Sequence, residues 1–311
     1  MSEVDVGRIL VIRGGAIGDF ILTLPAIKLL RDAFPAARLE ILGYKHIAVL
    51  AELSGYADAT RSIESVALAS FFTRAGQLAR ELVEYFGTFQ QVVSYLHDPE
   101  GIFAANLRRA GVRNLIVGSP KITSQEHAAR QLARPLEQLG LHLHDPAAVI
   151  VPDEPRRVDR KLIAIHPGSG SETKNWALQR FVELGRALLR TDEKCRLLLV
   201  EGEADEERVT QLAAALPNEK VSVVKNLALP ALAAQLQNCA LFIGHDSGIS
   251  HLAAAAGAPC LLLFGPTAPA IWAPANLQVR VLRGASLTMA GIEAPEVIEA
   301  AYELMRIGIK T

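Results

Sequence analysis

A short apolar run that ends in a polar, glycine-containing turn and leads straight into an alanine-rich helix restricts what a chain can become. Residues 240–267, ALFIGHDSGISHLAAAAGAPCLLLFGPT, carry this pattern. Residues 240–243 read as a buried strand that breaks at Gly244 into the turn His245-Asp246-Ser247-Gly248. A helix follows over about 249–256, Gly257 and Pro259 end it, and 260–264 begin another buried strand. A strand stopping at a helix start aims free backbone N–H groups and the positive end of the helix at one spot, which suits a phosphate. The turn therefore reads as a grip for the diphosphate of a nucleotide-activated substrate.

The remainder of the chain repeats the strand–helix rhythm. RILVIR at 8–13 is a β-rich apolar run of the kind buried on both faces, followed by Gly14-Gly15-Ala16-Ile17-Gly18-Asp19 and a helix over about 20–34. Further strands are expected at 38–42, 91–96 and 113–117, and helices at 46–53, 71–86, 101–110 and 124–139. Residues 141–160, with three prolines and a charged tail, break the rhythm and read as a crossing between domains. Alternation restarts with strands at 161–165, 195–200, 221–224 and 278–282, and helices at 176–190, 204–216, 230–237 and 295–305. The fold class expected is α/β, with two doubly wound, Rossmann-like domains, 1–150 and 151–311, facing a cleft.

Composition narrows the function. The 311 residues are half hydrophobic and carry a formal net charge of −1, so there is no basic footprint for nucleic acid. Cys195, Cys239 and Cys260 fall in or beside expected strands, without metal-ligand spacing, and read as packing residues of a reducing compartment. The acidic start MSEVDVGR has no leader character, and no apolar stretch approaches the roughly 20 residues of a membrane span, so a cytoplasmic protein is expected. No D-x-D pair, H-x-x-x-H or cysteine cluster suggests a metal, and no cofactor is implied. G-x-S-x-G, which would mark a serine hydrolase, is missing, as is the dinucleotide fingerprint G-x-G-x-x-G after the first strand.

Four stretches can carry chemistry. Asp19 stands at a helix start, where a carboxylate either caps the helix or, at a cleft edge, acts as a general base toward a sugar hydroxyl. In His166-Pro167-Gly168-Ser169-Gly170-Ser171, followed by Lys174, the small residues offer N–H and hydroxyl donors and the lysine a point charge for phosphate; the alternative is a solvated loop. Glu203, past the end of the 195–200 strand, is a ribose candidate, whereas Asp205, Glu206 and Glu207 read as the charged first turn of a helix. Asp246, Ser247, Gly248 and His251 form the fourth; His251 could reach a phosphate or cap locally, and Thr267 could add a hydroxyl.

Together, ILVIRGGAIGDFILTLPAIKLLRDAFP, HPGSGSETKNWALQRF, EGEADEE and FIGHDSGISHLAAAAGAPCLLLFGPTAPAIWAP resemble glycosyltransferase family 9, the lipopolysaccharide heptosyltransferases, in the family's order and spacing. The resemblance implies a GT-B fold, an N-terminal acceptor domain, and a C-terminal domain holding ADP-heptose. It also implies metal-independent, inverting transfer to a Kdo or heptose unit of the lipopolysaccharide inner core, on a lipid A-core acceptor at the inner membrane surface. By position, Asp19 matches the family's general base in G-D-x-x-x-T-L-P, with Gly18 and Thr23 on the acceptor side. Lys174 matches the diphosphate-binding lysine, and Glu203 the acid on the donor ribose. Asp246, Gly248 and His251 match D-[ST]-G-x-x-H, with Ser169, Gly170, Ser171 and Ser247 beside the donor. Departures concentrate between about Ala57 and Ser124, and His245 stands where the family more often has Asn or Val. Two rivals are another nucleotide-sugar transferase or epimerase using UDP or GDP, and a non-catalytic sugar-nucleotide binder.

Overall fold

The computed structural model describes residues 7–202 and 205–307. Glu203 and the acidic segment ahead of Gly7 lie outside them. The chain forms two compact units, Met1–Pro146 and Ala147–Thr311.

In the N-terminal unit the elements run β1 (Arg8–Arg13), α1 (Ile17–Ala33), β2 (Arg38–Gly43), α2 (Lys45–Leu53), β3 (Ala59–Ser62), α3 (Arg80–Phe86), β4 (Gln91–Ser94), α4 (Ile102–Arg109), β5 (Leu115–Val117) and α5 (Ala128–Ala133). The sheet is parallel in the order β3-β2-β1-β4-β5. Strand order reverses at β1, whose neighbours β2 and β4 lie on opposite sides. The turn after β1, which leads into the start of α1 where Asp19 stands, thus opens at the point where such sheets bind ligands.

Two expected helices of this unit differ from the pattern. The 71–86 stretch is not one helix: a 3-10 segment, Val66–Phe72, precedes an unpatterned link and then α3. Phe71 and Phe86, at the two ends of that stretch, meet across the core, 4.9 Å between ring centroids, beside Phe103. The buried Asn106 amide donates to the carbonyls of Phe71 and Thr73, both at 2.9 Å, and holds the chain in its non-helical course. The 124–139 stretch is α only over α5 and continues as a 3-10 segment, Arg134–Leu139. Pro135 has no N–H to offer the Gln131 carbonyl one α turn back. The Gln131 side chain bonds Thr123, Ser124 and Glu126 instead, tying down the segment ahead of α5.

In the C-terminal unit the elements are β6 (Asp159–Ile165), α6 (Leu178–Leu189), β7 (Arg196–Val200), α7 (Glu206–Ala214), β8 (Val221–Val224), α8 (Leu229–Leu236), β9 (Cys239–His245), α9 (Gly248–Ala255), β10 (Cys260–Phe264), α10 (Pro269–Trp272), β11 (Val279–Arg283) and α11 (Ala294–Ile307). The parallel sheet is ordered β11-β10-β9-β6-β7-β8, so the reversal falls between β6 and β9. A core of β-strand Ile and Leu side chains, with Cys195 just ahead of β7, packs with Trp176, Phe181 and the inner face of α11.

β9 does not break at Gly244. It stays paired through His245, with Leu262 opposite Gly244 and Leu263 opposite His245. Gly244 is there because a Cβ would lie 2.8 Å from Phe242 Cε1 and 2.9 Å from Ser250 Oγ, so the residue lets α9 approach the strand rather than ending it. The cysteines are buried free thiols; burial pushes Cys239 up to about 12 and Cys260 higher still. Phe71→Ala should lower unfolding free energy by about 3–5 kcal/mol, as deletion of a fully buried aromatic does, read as a shift of the urea midpoint at constant slope.

Candidate active site

At the N-terminal unit's switch point, Asp19 is the third residue of α1. Its Oδ2 accepts the Ala16 N–H at 3.2 Å, so the capping role read from the sequence is present. Its Oδ1 lies 3.8 Å from Arg13 Nη2, and the side chain remains 44% exposed. Arg13 is buried at the end of β1, donating from Nε to Thr23 Oγ1 (3.0 Å) and from Nη2 to the Asp19 carbonyl (3.2 Å). Thr23 Oγ1 donates in turn to that carbonyl at 2.7 Å. Thr23 is fully buried, so its hydroxyl orients the Asp19 turn from beneath, while Gly18 sits in the first helical turn beside it. Burial pulls the Arg13 guanidinium below its ordinary range and the Asp19 carboxylate pushes it back, leaving a cation under the exposed acid.

In the C-terminal unit the loops leaving β6 and β9 meet. Lys174 Nζ donates to Asp246 Oδ2 at 2.8 Å, a pair with 31% and 10% of its side chains exposed. Ser247 caps α9, its Oγ accepting the Ser250 N–H at 3.3 Å, and Gly248 is the first helical residue. Ser250 Oγ donates to the His245 carbonyl at 2.5 Å. His251 is buried in α9, whose alanines pack on the sheet. Ser169 Oγ lies 2.8 Å from the Ser171 carbonyl and 2.9 Å from Asn175 Oδ1; Ser171 Oγ is 2.9 Å from Thr173 Oγ1, and Gly170 lies between with open space around it. Past β10, Thr267 Oγ1 is shielded from solvent without a hydrogen-bond partner among the described residues. Six candidates thus converge where β6 and β9 part: Ser169, Gly170, Ser171, Lys174, Asp246 and Ser247. Gly248 and His251 follow in α9.

A buried polar layer beneath this loop was not legible beforehand. His166 Nδ1 lies 2.9 Å from the Val200 carbonyl and 3.2 Å from Asp205 Oδ2, and Asp205 Oδ1 accepts the Gly202 N–H at 2.6 Å. The sequence places Asp205 in a charged helix turn; in the structure it is buried beside His166 at the end of β6. A Cβ on Gly168 would sit 2.3 Å from Asp205 Cβ, so only glycine lets that loop pass. Arg208 donates from Nε to the Pro167 carbonyl (3.0 Å) and from Nη2 to the Trp176 carbonyl (2.6 Å). His245 Nε2 accepts the Trp176 N–H at 3.0 Å, and its Nδ1 is 3.2 Å from the Gly168 carbonyl. Burial lowers His245 to about 3 and moves His166 down as well.

A cavity of about 1120 Å3 opens at the other end of this sheet, among Arg156, Arg160, Lys161, Arg190 and Asp192. No candidate residue lines it, and it lies at the amino ends of the strands, whereas open α/β sheets bind ligands at the carboxyl ends. Among the described residues no group of three His, Cys, Asp or Glu side chains is placed to hold a metal ion, and no helix is long and apolar enough to cross a membrane.

Against known proteins, the sequence profile of glycosyltransferase family 9 (heptosyltransferase) matches residues 116–299. The chain belongs to glycosyltransferase family 9. Within that family it is 28% identical over 162 residues to lipopolysaccharide heptosyltransferase 2 of Salmonella typhimurium, an alignment covering 50% of this chain and 46% of the relative. The match thus spans less than half the length of that relative. In fold, it is similar to a crystal structure of the glycosyl transferase family 9 from Veillonella parvula, at TM-score 0.77 and 21% identity over 98% of each chain. It is also similar to an E. coli heptosyltransferase, WaaC, solved with ADP, at TM-score 0.71 and 19% identity over 96% of this chain and 99% of the other. Those two likenesses show the GT-B fold, with its two Rossmann-like domains.

The signals missed in this family member were single residues: Arg13 at a strand end, His166, Asp205, Arg208 and His245. Each reads alone as a solvated or capping charge. Two of the buried histidines, His166 and His245, set a pH dependence. Their folded pKa values lie below the unfolded value of about 6.5, so the native state resists protonation that the unfolded chain accepts. Their contribution is complete above about pH 6.5 and is lost as pH falls toward the folded value, about 3 for His245. Unfolding free energy should already fall between pH 6.5 and 5, above the carboxylate range, by up to about 1.4 kcal/mol per pH unit per histidine. Denaturant titrations at stepped pH check this, and His245→Gln should flatten the slope.

Proposed function

We propose that this protein is a heptosyltransferase-type glycosyltransferase that moves heptose from ADP-heptose to a Kdo or heptose unit of the lipopolysaccharide inner core, with inversion at the anomeric carbon. The observation that carries the donor assignment is the Lys174–Asp246 pair at the capped start of α9, between the diverging ends of β6 and β9. An ammonium group, free donors of a glycine-serine loop and the N-terminus of a helix together match the charge of a diphosphate. The buried, unpartnered Thr267 hydroxyl suits a further donor contact. The ADP bound by the E. coli heptosyltransferase of the same fold supports adenine as the base. Glu203 is assigned to the donor ribose through the family's pattern.

In this reading Asp19 accepts the proton from the attacking acceptor hydroxyl. The acceptor oxygen forms its bond to the anomeric carbon on the face opposite the nucleotide, and the bond to the diphosphate oxygen breaks, its electron pair leaving with ADP. Lys174 and the N–H groups at Ser247 and Gly248 stabilise that developing charge, the type of fixed electrostatic support that contributes most to many enzymes. Arg13 and Thr23 hold the Asp19 backbone so that its carboxylate projects outward. The acceptor belongs to the N-terminal unit and the donor to the C-terminal unit, and the protein works at the cytoplasmic face of the inner membrane.

A specific observation favours one rival: the Ala16 N–H bond to Asp19, which a mere cap would also make. Asp19→Asn separates the two readings, because asparagine keeps the cap but cannot take a proton. The variant should bind ADP as the parent does and lose transfer from ADP-heptose by about 10²-fold or more, followed by mass spectrometry of truncated core acceptors. Near-normal turnover would remove Asp19 as the base. Lys174→Ala should lower kcat by about 10²-fold or more. In thermal melts ADP should raise the midpoint more than UDP or GDP; a preference for UDP or GDP would overturn the donor assignment.

A further inference from the structure

His245 ends β9, is fully buried, and has both ring nitrogens engaged. The Trp176 N–H can only donate, so Nε2 accepts; the Gly168 carbonyl can only accept, so Nδ1 carries the proton. The ring is therefore neutral with one defined tautomer, and it packs edge-on against Phe181 with centroids 5.3 Å apart. Its two partners bracket one segment. Gly168 opens the loop and Trp176 closes it, with Ser169, Ser171 and Lys174 between them.

We infer that His245 is a positioning residue for the donor diphosphate: by pinning both ends of the 168–176 loop to the end of β9, it holds Lys174 and the loop donors in their binding arrangement before the nucleotide arrives. This rests on the reading of that loop as the diphosphate cradle. Ordering a nine-residue loop at the moment of binding would subtract from affinity, and a loop already fixed avoids that cost. The imidazole reaches both ends because it has a donor and an acceptor on opposite sides of a rigid ring, which asparagine and valine lack. Arg208 grips the same segment through the Pro167 and Trp176 carbonyls, so loss of His245 loosens the loop without releasing it.

The test compares the parent with His245→Phe, which keeps ring and volume but neither bond, and His245→Gln, which can still accept from Trp176. Calorimetry should show the Phe variant binding ADP about 10-fold or more weakly, with donor KM raised likewise, acceptor KM unchanged and kcat less affected. The Gln variant should recover most of the loss. A Phe variant with parental ADP affinity and donor KM, whatever its melting temperature, would overturn the inference, and so would equal losses in Phe and Gln. Should the Phe variant not fold, amide exchange of the parent decides: without nucleotide, Trp176 should exchange as slowly as the β9 amides, and exchange at exposed-loop rates would sink the idea. A parent that binds none of ADP, UDP and GDP removes the diphosphate reading itself and this inference with it. A parent that binds ADP just as the Phe variant does removes only the role of His245.

Discussion

Where a doubly wound sheet reverses its strand order, two neighbouring strands send their connections to opposite faces and a crevice is left that no helix covers. In the C-terminal unit that place is the gap between β6 and β9, and the placing of the Lys174 loop and the α9 start follows from it. Both loops that leave the gap turn within a few residues, at Pro167-Gly168 after β6 and at Asp246-Ser247 after β9. Ser247 caps the start of α9. A helix start beside a lysine ammonium is the kind of place that suits an anion.

Keeping such a crevice rigid requires polar groups below it, and burial makes those groups costly unless each is paired. His166, Arg208 and His245 hydrogen-bond the 166–176 loop or the end of β7, and Asp205 accepts the Gly202 N–H through Oδ1 with its Oδ2 3.2 Å from His166 Nδ1. The N-terminal unit solves the same problem with one cation. Arg13 lies under the α1 start, holds Thr23 and the Asp19 backbone, and leaves the Asp19 carboxylate at the surface. A packed arginine beneath an exposed acid combines a fixed backbone with a solvent-accessible proton acceptor.

Much of this was legible in the sequence because the signals are local. Strand runs such as RILVIR and CLLLF, the glycine turns and the alanine face of α9 announce themselves through periodicity alone. The misreadings came where tertiary contacts overrule spacing. Residues 71–86 have helical spacing, but Asn106 takes the Phe71 and Thr73 carbonyls and the Phe71 and Phe86 rings meet through space. Gly244 looked like a breaker, but it is needed for a helix to lie close. The buried polar layer was invisible for a different reason. His166 and Asp205 are separated by 38 intervening residues, and no spacing rule links a strand-end histidine to an acid in the next helix turn but one strand away.

The bond between Lys174 and Asp246 gives the ammonium group an internal counter-ion. A visiting anion must therefore displace or share with a carboxylate that is already in place and tethered. Singly charged solutes such as chloride gain little from that exchange, whereas a group with several negative oxygens can engage the ammonium and the helix start together. Under the proposed diphosphate role, the pair favours ligands whose charge is multiple and closely spaced over the salt around the protein.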